Sequence, residues 1–113
     1  MREDGKIDYV EQPGGNLPVL KAFYADAFGW SFTDYGPDYA AFNEGLDGGF
    51  DADPEARKTP MVILYAKDLE AMQAKVRAAA GETEDGPGDH PAGGRRFQFR
   101  DPSGNELGVW SEV

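Results

Sequence analysis

The chain is 113 residues long, carries 11 Lys and Arg against 21 Asp and Glu for a net charge of −10, and contains no cysteine. That length suits one domain, able to bury a core without disulfides but too short for two independent ones, and the missing cysteine excludes disulfides, thiolate metal sites and cysteine nucleophiles. An acidic surface repels phosphate backbones and anionic lipid, so neither nucleic acid nor membrane is an expected partner, and acidity by itself requires nothing beyond solubility. Met1-Arg2-Glu3-Asp4-Gly5-Lys6 has no apolar run behind a basic start, and no stretch approaches the roughly 18 apolar residues of a membrane span, so a cytoplasmic location is expected.

In chain order, Ile7 to Glu11 alternates as a half-buried strand does, and Pro13-Gly14-Gly15 breaks it. Asn16 can cap a helix over 17–28, with Pro18 tolerated in the first turn. Leu17, Leu20, Phe23, Tyr24, Ala27 and Phe28 recur at helical spacing and predict one buried stripe, and Gly29 fits the left-handed position after a helix end. Tyr24 and Phe28, at i and i+4, read as core packing. Trp30 to Asp34 and Tyr39 to Phe42 predict paired strands joined through Gly36-Pro37-Asp38, with a short third strand around Gly48-Gly49-Phe50. Residues 51–60 form a polar connection to the second half of the chain.

The order then repeats. Met61 to Tyr65 is an apolar strand; Asp68 caps a helix over 69–80 whose Leu69, Met72, Val76 and Ala79 form the buried stripe, and Gly81 ends it. Glu82-Thr83-Glu84 predicts a short edge strand, residues 86–94 a glycine- and proline-rich loop. Arg95 to Arg100 and Glu106 to Trp110 alternate on either side of the turn Asp101-Pro102-Ser103-Gly104-Asn105, which makes them a hairpin. Asn16 and Asp68 stand 52 positions apart, as do Gly29 and Gly81, and Tyr9 and Met61. A duplicated strand-helix-strands unit tends to place a site between its halves.

Phe23-Tyr24 followed by Phe28-Gly29-Trp30, Gly48-Gly49-Phe50, Asp101-Pro102-Ser103-Gly104-Asn105 and Gly108-Val109-Trp110, in that order, resemble the vicinal oxygen chelate superfamily, which includes glyoxalase I, bleomycin-resistance proteins and extradiol dioxygenases. The resemblance covers nearly the whole chain. It implies an α+β fold in a single domain of two βαβββ modules, about 5–50 and 60–113, with curled mixed sheets around a cleft and helices on the outer face. Function is not implied with it, because the superfamily hosts lyases, isomerases, dioxygenases and non-catalytic binders. Catalytic members hold a divalent ion through a His or Gln on the first strand of each module and Glu residues on the last strands. The corresponding positions here fall on Tyr9, Met61 and Gly108, with only Asp47 or Asp51 near the fourth. Tyr can bind iron, but this set is not a transition-metal cage, so no metal and no other cofactor is expected.

Strand parity then assigns faces, since side chains two apart share one. If Tyr9, Met61 and Gly108 face the cleft, so do Glu11, Ile63, Tyr65, Glu106 and Trp110, and Val10, Val62, Leu64, Leu107 and Val109 face the helices. With Phe97 and Phe99 on the helix side, Arg96, Gln98 and Arg100 turn to the cleft. The result is an aromatic and apolar wall with polar handles, as in small-ligand pockets. The plainer account of Glu11 and Glu106 is that they neutralise Arg96 and Arg100 near a solvated rim.

Two functions are compatible with this arrangement. One is a metal-free binder resembling bleomycin-resistance proteins, taking a cationic or amphipathic small molecule through Tyr9, Met61, Ile63, Tyr65, Arg96, Gln98 and Trp110. The other is a glyoxalase-like lyase or isomerase in which Glu11 or Glu106 takes a proton beside a carbonyl and Arg96 stabilises the oxyanion. A degenerate accessory domain is the third reading. His90 on its loop is either a general base or simply exposed, Gly86-Pro87-Gly88 and Gly93-Gly94-Arg95 lack the strand-to-helix context of a phosphate loop, and a homodimer is expected from family habit and exposed apolar rims.

Overall fold

The computed structural model describes residues 2–53, 59–84, 86–90 and 93–113. The fold is α+β and divides into two compact units, one of residues 9–60, the other of residues 61–113 together with the chain up to Asp8.

The first unit contains β1 (Ile7–Pro13, whose first two residues group with the other unit), α1 (Leu17–Phe28), β2 (Thr33–Asp34), β3 (Tyr39–Asn43) and β4 (Asp47–Asp51). Its strands lie in the order β2-β3-β4-β1, with β3 and β4 antiparallel and β1 parallel to β4. Asn16 caps α1 as the sequence predicts, its side chain accepting from the Val19 amide at 3.3 Å. Such a cap contributes about 1 kcal/mol by satisfying an amide that the first helical turn leaves without a carbonyl. Gly29 closes the helix at φ 76°, a dihedral at which a side chain would be strained.

The buried stripe of α1 is narrower than its periodicity predicts. Leu17, Leu20 and Tyr24 pack with Ala40, Phe42 and Phe50, whereas Phe23 and Phe28 are 55% and 64% exposed. A run of i, i+3, i+7 points one way, and Phe23, one step off it, is carried round to solvent. Tyr24 is therefore core, and Phe28 is not. Trp30 and Phe32 are not part of a strand either, since β2 begins at Thr33; their rings close over Tyr24 at 4.7 Å and Phe42 at 6.3 Å. Of the connection expected over 51–60, residues 54–58 lie outside the described residues.

The second unit contains β5 (Met61–Tyr65), α2 (Leu69–Ala78), β6 (Glu82–Thr83), β7 (Gly88–Asp89), β8 (Arg95–Arg100) and β9 (Glu106–Ser111). Their order is β5-β9-β8-β6, with β7 also on β8; β5 runs parallel to β9, and β8 and β9 form the expected hairpin. Asp101 builds its turn by accepting from the Ser103 and Asn105 amides at 2.9 Å each. These bonds and that of the Asn105 side chain hold its carboxyl below the ordinary value. β7 forms inside the loop read as irregular over 86–94, of which residues 91–92 lie outside the described residues.

Parity holds here as read from the sequence. Phe97, Phe99 and Val109 form the buried core with Leu69, and Leu64, Leu107, Met72 and Val76 pack against it. The helix end departs from expectation. α2 stops at Ala78, and the left-handed residue is Ala80, at φ 73°, with Gly81 one position later. Gly81 is needed for proximity instead, because a Cβ there would lie 2.6 Å from Cγ1 of Val76.

Candidate functional site

β1 carries Tyr9 and Glu11 on one face and is paired so that Tyr9 lies opposite Asp47 and Glu11 opposite Gly49. Without a side chain on Gly49 the ring of Tyr39 lies directly over it; a Cβ there would collide with the phenol. The Tyr39 hydroxyl donates to Oε2 of Glu11 at 3.0 Å, and the Tyr9 and Tyr39 hydroxyls are 2.6 Å apart. Glu11 and Tyr39 are each only 1% exposed. Burial first, then the charge of Glu11 and the proximity of Tyr9, push the Tyr39 phenol well above its ordinary value. Tyr39 thus keeps its proton and spends it on Glu11, which makes Tyr9 the donor in the shorter bond. The result is a directed relay, Tyr9 to Tyr39 to Glu11, that ends on a buried carboxylate able to accept from a further N–H or O–H.

The sequence did not single out Tyr39. Its signal was present but weak: a tyrosine and two glycines whose strand pairing, once known, puts aromatic over glycine.

In the second unit Met61, Ile63 and Tyr65 are buried on the face of β5 turned away from the core of Leu64 and Val109. Gly108 lies opposite Ile63, and Met61 and Ile63 cover it, each 3.3 Å from where a Cβ would stand. Further along β9 the indole of Trp110 meets the Tyr65 ring edge-on at 5.6 Å and donates through Nε1 to Oδ2 of Asp8 at 2.9 Å. Tyr65 donates to Glu112 at 2.8 Å, a bond that holds its phenol above the ordinary value. The Arg2 guanidinium sits 4.9 Å from the centre of the Trp110 ring, with its Nε 3.2 Å from Oδ2 of Asp8.

Glu106 is placed at the other end of β9, opposite Arg100, beside Glu84. A hydrogen bond that protonated Glu84 donates to Glu106, then burial and the charge of Glu106, raise the carboxyl of Glu84, against the pull of Arg100 3.1 Å away. Gln98 lies opposite Gly108, and Arg96 opposite Trp110. Within the first unit the structure groups Tyr9 and Glu11 through Tyr39; within the second it groups Tyr65 with Trp110, and Glu106 with Glu84 and Arg100. His90 is half-buried, and its backbone closes the turn through Gly93 and Gly94. An open cavity of about 290 Å³ lies elsewhere, along β2 and β3, lined by Phe32, Tyr35, Phe42, Asn43, Glu44 and Asp47 among others.

The donor set does not fit a divalent metal. The two last-strand positions opposite β1 and β5 are glycines overlaid by a phenol in one unit and by a thioether and an alkyl chain in the other. The first-strand positions are Tyr9 and Met61, and neither phenol nor thioether is a usual ligand for zinc or manganese. Among the described residues no group of three or more His, Cys, Asp and Glu side chains could hold such an ion.

The family described as "Glyoxalase/Bleomycin resistance protein/Dioxygenase superfamily" matches residues 6–109. Among solved structures, the Mn(II)-bound glyoxalase from Novosphingobium aromaticivorans is 27% identical, with a TM-score of 0.70 over 100% of this chain and 40% of that one; this chain thus spans well under half of that protein. Methylmalonyl-CoA epimerase from Mycobacterium tuberculosis is 16% identical, with a TM-score of 0.73 over 96% of this chain and 88% of that one. A structure described as an NAD-dependent benzaldehyde dehydrogenase from Legionella pneumophila is 15% identical, with a TM-score of 0.76 over 93% and 98% of the two chains. The last two likenesses are of fold alone. No curated protein matches the chain significantly in sequence.

Proposed function

The chain belongs to the glyoxalase/bleomycin resistance protein/dioxygenase superfamily, and on that premise we propose that it binds a small organic molecule without a metal, on the strand faces turned away from its helices. The observation that carries this reading is the filling of the metal positions: Tyr39 over Gly49, and Met61 and Ile63 over Gly108. Side chains that would have to leave before an ion and its carboxylates could enter are themselves the aromatic and apolar surface a ligand needs. In the first unit Glu11, oriented by Tyr39, offers a ligand a polar contact. In the second unit Met61, Ile63, Tyr65 and Trp110 offer apolar area, with Arg96 and Gln98 paired opposite Trp110 and Gly108.

The alternative reading, a lyase or isomerase with Glu11 or Glu106 as base, is supported by the burial of Glu11 at 1% exposure. It is opposed by the phenol bond, because a donor to the carboxylate stabilises its charged form and weakens it as a base. Glu11→Gln separates the two. Its side chain keeps the shape and can still accept from Tyr39, so thermal stability should change little, while affinity for compounds found in a fluorescence screen should fall about tenfold, ~1.4 kcal/mol. Unchanged affinity in Glu11→Gln would place the ligand on another surface. Stoichiometric bound metal that is lost in Glu11→Ala would restore the metalloenzyme reading.

A further inference from the structure

The contacts around Trp110 make a box for a planar cation. Its floor is the indole face; one wall is the Asp8 carboxylate, fixed by accepting from the indole Nε1 at 2.9 Å. Tyr65 stands edge-on to the floor at 5.6 Å, and its hydroxyl holds Glu112 at 2.8 Å. The occupant of this box is the chain's own Arg2, whose guanidinium lies over the indole at 4.9 Å while Nε meets Asp8 at 3.2 Å. An aromatic face adjoining a fixed carboxylate is the arrangement that binds a guanidinium through its π-face and its N–H edge at once.

The arm bearing Arg2 is fastened one turn further on. The Gly5 amide donates to the Tyr65 carbonyl at 2.8 Å, and Asp4 accepts from the Lys67 amide at 2.9 Å. Between those anchors and the ring, the Arg2 side chain is 37% exposed. Asp8 and Tyr65 keep their places beside the indole through their own contacts with Trp110, at 2.9 Å and 5.6 Å.

We infer that Trp110 and Asp8, flanked by Tyr65, form a receptor for a guanidinium group on a small ligand, and that Arg2 is a tethered competitor that covers it. This names a ligand class and a built-in restraint beyond the proposal above, and uses residues that the Glu11→Gln test does not touch. A tethered competitor reduces apparent affinity by the fraction of molecules in which it is seated. Removing it should therefore strengthen binding without any new contact.

The test follows the indole Nε1–H resonance of Trp110 by NMR during titration with N-acetyl-L-argininamide, a singly charged blocked arginine. In Arg2→Ala that resonance should move before any ligand is added, and the blocked arginine should bind about tenfold more tightly than to the wild-type chain. Asp8→Asn in the Arg2→Ala background should abolish the gain, and the neutral N-acetyl-citrullinamide should fail to bind. Equal affinity in wild type and Arg2→Ala, or binding of the citrulline compound as tight as that of the arginine one, would overturn the inference. Because Glu11 is intact throughout, a loss here leaves the reading of the first unit standing, and a loss in Glu11→Gln leaves this one standing.

Discussion

Single residues decide what the strand faces can do. A Tyr39 phenol that keeps its proton makes Glu11 an oriented acceptor, and two glycines let larger side chains take the ground where acidic ligands would stand. The pair Glu84 and Glu106 gives the residue scale its pH dependence. The Glu84 carboxyl is raised in the folded chain, so its contribution to stability is fully present below the ordinary carboxylate range and is lost as pH rises through the raised value. Glu106→Gln removes the largest cause of that rise. Its melting temperature should match wild type near pH 3.5, below the unfolded carboxylate values of about 4, and exceed it at pH 7. A difference independent of pH in thermal melts would show that the two carboxyls do not interact. The faces of Phe97, Phe99, Leu107 and Val109 were legible in the sequence because strict alternation set aliphatic and aromatic residues against polar ones. Tyr39 was not legible: Tyr39-Ala40-Ala41-Phe42 has no such alternation, and what fixes its direction is the pairing of β3 with β4.

At the scale of elements, helix starts were readable and helix ends less so. Asn16 and Asp68 each accept from the amide three residues on, a mechanism that depends on one side chain and its neighbours alone. The end of α2 is closed locally, by Gly81 donating to the Val76 carbonyl at 2.8 Å and Ala80 to that of Arg77 at 3.2 Å. In that pattern the left-handed residue is the one before Gly81, which is Ala80. Ala80→Gly should accordingly stabilise the chain by about 0.5–1 kcal/mol in chemical denaturation, since glycine adopts φ 73° without the Cβ clash. A destabilised variant would mean that the alanine methyl makes contacts worth more than the strain. β7, two residues long, lies below what alternation can signal.

For the molecule as a whole the duplication was the legible feature. The 52-position offset reappears as helices beginning at Leu17 and Leu69 and as first strands holding Tyr9 and Met61. A homodimer is expected from family habit and from apolar sheet rims, and we propose it on a further observation: Val19, Phe23 and Phe28 of α1 are 65%, 55% and 64% exposed. Exposed apolar area costs roughly 25 cal/mol per Å², and a second copy would cover it despite the net charge of −10. Light scattering should give twice the chain mass, falling to the chain mass in Phe23→Lys with Phe28→Lys. A wild-type monomer at high micromolar concentration would contradict this.

The overlaid glycines also bear on how this scaffold can change. An acidic residue at position 49 has no room until Tyr39 is replaced, and one at position 108 presses on Met61 and Ile63. The first is blocked while Tyr39 stands, the second needs Met61 and Ile63 to give by a few tenths of an ångström, and neither yields an ion site alone. Converting these strands to an ion site therefore takes joint changes at Tyr39 and Gly49 and at Met61 and Gly108, not one exchange alone.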